Sequence, residues 1–287
     1  MTPPVAAASI GALSVGRARA ASVALLSSLA VGACATRAIP RVAAPTRPAR
    51  TVTLQEALDS YDKYCGGLRT LSASGDLDVK DLRAGKQRKL GVRLVATRGD
   101  RLYLKGSVLV VTALEVVSDG RRFWFQVPSQ KTTWTGLASD EAPPAEGADQ
   151  APYYALRPHD VTAALLPDPL APAEGETVVM EADREAVWLS VARTSDGRGL
   201  VRRRVALDRE SLRPIRLRAY DERSDLVSDV SLSAWSDETP RRVVIQRPSQ
   251  GYVADFSLEK VELNKTVPDK AFEPRPAQGY KTVEVGR

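Results

Sequence analysis

Thr70-Leu71-Ser72-Ala73-Ser74-Gly75-Asp76-Leu77-Asp78-Val79 sets an apolar or small residue at every second position. Leu71, Ala73, Gly75, Leu77 and Val79 fall on one side of an extended chain, and hydroxyls and carboxylates fall on the other. That is the period of a strand with one buried face. The period continues through Leu90, Val92, Leu94 and Ala96 and then Leu102 and Leu104, with polar turns at Arg83 to Lys86 and at Arg98-Gly99-Asp100. The reading is an antiparallel sheet, apolar on one face. Arg98-Gly99-Asp100 spells the integrin tripeptide, but turn chemistry between two strands accounts for it. Ser-Asp-Gly at 118–120 and again at 195–197 closes two further hairpins in the same way.

Just before this stretch the period is helical. Thr53-Leu54-Gln55-Glu56 has the capping-box pattern, and Leu54, Ala57, Leu58, Tyr61, Tyr64 and Leu68 recur at three and four residues until Gly66-Gly67. Cys65 at the end of this helix has no histidine near it in sequence and is expected to be a half-buried packing cysteine. Downstream, residues 136–154 lose all pattern to Ala, Pro, Asp and Glu and read as a mobile acidic loop. A short helix then opens at Pro158, sets Val161, Ala164 and Leu165 on one face, and stops at Pro167. Strands resume over 178–182, 187–192, 200–207, 215–220, 227–235, 243–246 and 252–263. In the last of these the apolar phase runs Tyr252, Ala254, Phe256, Leu258 and then slips to Val261 and Leu263, which predicts a bulge near Glu259-Lys260. The total is roughly eleven strands and two helices, too many strands for one flat sheet.

The N-terminal region has a different character. Arg17 and Arg19 precede an apolar stretch that ends in Leu29-Ala30-Val31-Gly32-Ala33-Cys34, too short to span a bilayer as a stable helix and followed by a small-residue cleavage site. It resembles the signal cut by lipoprotein signal peptidase. That resemblance implies that residues 1–33 are removed and that Cys34 becomes the acylated first residue, each buried methylene contributing about 0.8 kcal/mol to anchoring. The competing readings are an ordinary secretory signal with a coincidental cysteine and a weak membrane segment. Residues 34–50, with Pro40, Pro45, Pro48 and four arginines, have no period and read as a tether. Its arginines either rest on anionic headgroups or are simply solvated.

Locating the charge removes one class of partner. Of the 41 lysines and arginines, six precede Thr51, so 35 face the 35 acidic residues of the folded part, residues 51–287. A neutral domain lacks the basic footprint that nucleic acid requires.

The order of helix, meander, the segment Asp119-Gly120-Arg121-Arg122-Phe123-Trp124-Phe125-Gln126-Val127-Pro128, a Leu156-Arg157-Pro158 helix and a closing Val267-Pro268-Asp269-Lys270-Ala271-Phe272 resembles the LolA/LolB-like lipoprotein-sorting superfamily. The resemblance spans Thr53 to Tyr280 on short, degenerate motifs. It implies a mainly β (α+β) domain: a curved antiparallel half-barrel of about eleven strands, its apolar concave face covered by helices and holding acyl chains. It also implies a lipid-anchored protein on the periplasmic face of the outer membrane, with Ala35 after the cysteine in place of the retaining aspartate, and a periplasmic carrier protein as partner. No cofactor follows from it.

Candidate lining residues for such a cavity are Leu77, Val79, Leu90, Val92, Leu94, Leu104, Ile215, Leu217, Leu232 and Phe256. An ordinary packed core is the equal alternative. In the outer-membrane member of the superfamily, the resemblance implies an apolar residue on a protruding loop. The corresponding segment here, Gly106 to Ala113, offers Val108, Leu109 and Val110 as a membrane tip, or else a continuous buried strand.

Catalysis fits the sequence badly. One histidine, His159, cannot build a metal site by itself, there is no Gly-x-Ser-x-Gly elbow, and Asp76 and Asp78 alternate on what reads as a solvated face. A non-catalytic interaction or sensor module of the envelope on the same fold is the alternative to a lipid carrier. Arg202, Arg204, Arg216 and Arg218 are its candidate outer-face patch.

Overall fold

The computed structural model describes residues 50–138, 156–195, 197–275 and 277–285, all within the larger of two compact units, Pro45–Arg287. The lipobox with Cys34, nearly all of the tether, most of the acidic segment and Asp196 of the second Ser-Asp-Gly turn lie outside the described residues.

Helix α1 (Leu54–Gly66) is followed by strands β1 (Thr70–Asp81), β2 (Gln87–Thr97), β3 (Arg101–Val108), β4 (Val111–Asp119), β5 (Arg122–Val127) and β6 (Thr132–Leu137). Helix α2 (Pro158–Leu165) leads to β7 (Glu176–Ala182), β8 (Ala186–Ser195), β9 (Arg198–Asp208), β10 (Pro214–Tyr220), β11 (Leu226–Ser236), β12 (Thr239–Arg247) and β13 (Tyr252–Leu263); β14 (Lys281–Glu284) closes the described chain. The strands form one open, curved sheet in the order 14-6-5-4-3-2-1-13-12-11-10-9-8-7. Two antiparallel meanders are thus fused where β1 pairs with β13, and β14 returns to lie parallel beside β6.

Among the described residues the strand count is 14 against an expected eleven. β6 reads Thr132-Thr133-Trp134-Thr135-Gly136-Leu137, and its hydroxyl and aromatic residues blur the two-residue period. β14 is four residues long and carries almost no period at all. Leu137 and Gly136 belong to β6 rather than to the expected loop, and Gly136 is packed so closely that a Cβ there would meet Val285 Cγ2 at 2.7 Å.

Apolar rows run across the concave face. Ala73, Leu94, Leu104, Val116 and Phe125 are successive partners from β1 to β5, and Leu77 lies between Leu90 and Phe256. α2 and the residues around it, Leu156, Val161, Ala164, Leu165 and Leu166, close this half of the core. α1 closes the other half by setting Ala57, Tyr61 and Cys65 on Leu189, Val191, Val205 and Leu207 of β8 and β9.

The expected bulge is present. Ser74 pairs with Lys260 and Gly75 with Leu258, which leaves Glu259 as the extra residue of β13. Gly75 makes this possible, because a Cβ there would stand 2.0 Å from the Ser257 carbonyl oxygen. At the N-terminus of α1, Thr53 Oγ1 accepts from the Glu56 amide at 3.2 Å, while the Glu56 carboxylate turns to Arg50. Half of the capping box is formed. Cys65 is fully buried rather than half-buried, since it sits on the helix face that meets the sheet, and burial pushes its thiol up to about 12. It is a packing residue and no nucleophile at neutral pH.

Candidate functional site

The ten residues named as cavity candidates do not share one space. Leu77, Val79, Leu90, Val92, Leu94, Leu104, Leu232 and Phe256 lie within the apolar core cluster, Leu217 packs against it, and Ile215 is half-buried. The side chains of and around α2 fill the hollow over the central strands. Of the ten, Leu217 borders a cleft on the concave face, and Val92 borders a groove that opens on the other side.

That concave cleft holds about 410 Å³, within the usual range of small-ligand sites, about 300–1,000 Å³. Tyr61 of α1, Ala163 of α2, Leu170, and Val205, Leu217 and Val230 of β9 to β11 form its apolar walls. Arg203, Arg247, His159 and Asp160 bring charge into the same wall, a mixture that apolar periodicity could not reveal. A second cleft of about 350 Å³ flanks the C-terminal half of α1, where Tyr64 meets Trp235 edge to face at 5.6 Å.

The charged groups of the first cleft hold α2 down. Asp160, buried, receives Arg247 Nη1 at 3.1 Å and the hydroxyl of the equally buried Tyr252 at 2.8 Å. Burial, then the charge of Asp160, raises the Tyr252 pKa well above its ordinary value, so the phenol remains a donor. One turn away, Asp100 of the β2–β3 turn accepts from Thr162 Oγ1 at 2.7 Å and meets His159 Nδ1 at 2.9 Å. The hydrogen bond from His159 holds the Asp100 carboxyl below its ordinary pKa against burial, and the same bond raises the histidine. Asp100 has a left-handed backbone, φ 59°, as a tight turn demands. The Arg-Gly-Asp tripeptide is therefore a turn that also receives a helix.

Residues 108–111 form the tip of the β3–β4 hairpin, not a buried strand. Val108 is 51 % exposed, Leu109 94 %, Val110 95 % and Val111 67 %. Leu109 is held at φ 54°, a conformation that costs an L-residue roughly 1–2 kcal/mol. Four apolar side chains in water on a strained turn gain nothing for folding.

On the convex face Arg216 grips both carboxylate oxygens of the buried Asp229 at 2.6 Å, and Arg218 Nε adds a third bond at 3.0 Å. Burial raises the Asp229 pKa, but the hydrogen bonds of Arg216 and the charges of both arginines outweigh it and hold the carboxyl low. Arg204 bonds Glu181 at 2.6 Å and lies 4.4 Å over the Trp188 ring. Three of the four patch arginines, Arg204, Arg216 and Arg218, are thus tied into their own sheet. Asp76 pairs with Lys89 at 2.8 Å, and no group of His, Cys, Asp and Glu suited to a metal occurs among the described residues. Among the described residues, no helix is long and apolar enough to cross a membrane.

No protein-family model matches the chain, and no curated protein matches it. Some of the solved structures similar to it carry names from the superfamily that the sequence resembles, and others do not. A LolA superfamily protein from Nitrosomonas europaea is 12 % identical, covers 78 % of this chain and 99 % of its own, and has a TM-score of 0.48. An outer membrane lipoprotein-sorting protein domain from Vibrio parahaemolyticus is 13 % identical over 76 % of this chain and 93 % of its own, with a TM-score of 0.44. A DUF1329 family protein from Desulfovibrio piger is 14 % identical over 78 % of this chain and 98 % of its own, with a TM-score of 0.49. At such scores the likeness is one of outline, and the functional reading rests on the residues described above.

Proposed function

We propose that this chain is a non-catalytic envelope lipoprotein. It is tethered by an acylated Cys34 to the periplasmic face of the outer membrane and binds acyl chains of lipids or lipoproteins on the concave face of its half-barrel. The observation that carries the reading is the hairpin tip: Leu109 and Val110 stand almost wholly in water on a strained turn. Apolar surface in water is disfavoured by about 25 cal/mol per Å², and a bilayer is the medium that removes that cost without a shaped partner. The tip meets the membrane, and the cleft between α2 and β9 to β11 supplies apolar walls for a chain taken from it or delivered to it. A periplasmic carrier protein would supply or receive that cargo.

The test is vesicle binding by the full chain carrying Cys34→Ser, so that acylation plays no part. Leu109→Glu with Val110→Glu changes only exposed positions, so the melting temperature should hold while vesicle binding falls to background. Equal binding by the double variant would remove the tip from the reading.

A further inference from the structure

On the convex face, at the base of the same hairpin, the sheet carries a groove of about 440 Å³ that reaches Leu109 and Val110. Its floor is Gly75 and Gly91, on adjacent strands. Gly75 is required by the bulge, but Gly91 is not: its backbone is not left-handed, and a Cβ there would find nothing closer than the Ser107 carbonyl oxygen at 3.8 Å. A glycine inside a strand weakens it, and where the fold does not demand one it marks a place that another molecule approaches.

The walls repeat the anomaly in charge. Arg93 of β2 lies directly across from Lys105 of β3, a like-charge pair that destabilises a sheet. Neither side chain makes an ion pair among the described residues. Glu115, across from Lys105 on β4, is engaged by the Tyr103 hydroxyl. Ser107 and Thr112 add hydroxyl donors on the side nearer the tip. Asp76, at the far rim, is neutralised by Lys89, and Glu259, the bulge residue, completes that rim.

We infer that this groove is a binding site for the phosphate of a phospholipid headgroup, occupied when the hairpin tip enters the membrane. The inference rests on the tip reading above and deepens it. Two cations and two hydroxyls next to a membrane-facing tip stand at the depth of the phosphates, and lysine and arginine there gain from lipid charge. Glu259 lies on the side where the amine of a zwitterionic headgroup would extend. Gly91 leaves the room that the headgroup needs.

The experiment compares the full chain carrying Cys34→Ser on phosphatidylethanolamine vesicles and on vesicles of an uncharged glycolipid with the same acyl chains. The parent should bind the phospholipid about tenfold more tightly, the gain of roughly one charge-assisted hydrogen bond to the phosphate. Arg93→Ala with Lys105→Ala removes the charges, and Gly91→Gln fills the groove with the charges in place; both variants, folded, should bind the two vesicles equally. A preference retained in both variants overturns the inference. A parent that binds both vesicles equally overturns it while leaving the tip reading intact, and a parent that binds neither overturns both.

Discussion

Two residues hold conformations that a different side chain would change measurably. Gly75 lets the Ser257 carbonyl approach where a Cβ would stand 2.0 Å away, so Gly75→Ala must push β1 from β13 at the centre of the sheet. The expected loss is about 2–3 kcal/mol or more, read as a lower urea midpoint with an unchanged slope. Leu109 is the opposite case. Asparagine tolerates its left-handed backbone far better than leucine, so Leu109→Asn should stabilise the domain by about 1 kcal/mol while weakening vesicle binding. A stabilised variant with undiminished binding would mean that the leucine is there for neither reason. At this scale the sequence was legible wherever period two could be counted. The slip from Leu258 to Val261 revealed the extra residue Glu259, because one inserted residue moves every later side chain to the other face. The need for Gly75 and the freedom of Gly91 were not legible, since both read as glycine in a strand and differ only in what stands opposite them.

Among the elements, α2 is the one whose attachment depends on pH. The raised pKa of His159 means that its contribution is full below its unfolded value of about 6.5 and is lost as pH rises through the folded value. The lowered pKa of Asp100 means that its contribution is full above an unfolded value of about 3.9 and is lost as pH falls through the folded value. The pair therefore holds α2 best between roughly pH 4 and 6.5. His159→Gln should flatten the fall of the melting temperature as pH rises above about 6.5; an unchanged profile would remove the pair from the account. Arg247→Met acts through burial instead. It leaves Asp160 with Tyr252 alone, and an unpaired buried charge costs about 3–5 kcal/mol, which Asp160→Leu in the same chain should largely restore. Pro158 and Pro167 made the ends of this helix legible. Its partners were not, because the turn at Asp100 and the end of β12 at Arg247 come beside it only through sheet order.

For the whole molecule, the sheet-and-two-helix plan was legible because long strands with one buried face repeat their period many times. The location of free space was not. A lined cavity and a packed core have the same apolar residues, and here the side chains around α2 decide the matter by filling the central hollow and leaving clefts on either side of α1. Organic extracts of the protein purified from its host should contain acyl species by mass spectrometry, and Leu217→Trp, which fills the larger cleft, should reduce them; equal yields would place the lipid elsewhere. The most direct test of a membrane-facing hairpin uses the chemistry of the one cysteine that the described residues contain. Cys65 is fully buried with its thiol pushed up to about 12, so in a Cys34→Ser background a cysteine placed at Val110 is the site that an environment-sensitive maleimide dye will label. On vesicles whose acyl chains carry bromine, the dye should shift to shorter wavelength and be quenched. Protein that binds the vesicles while its dye stays unshifted and unquenched would contradict the reading.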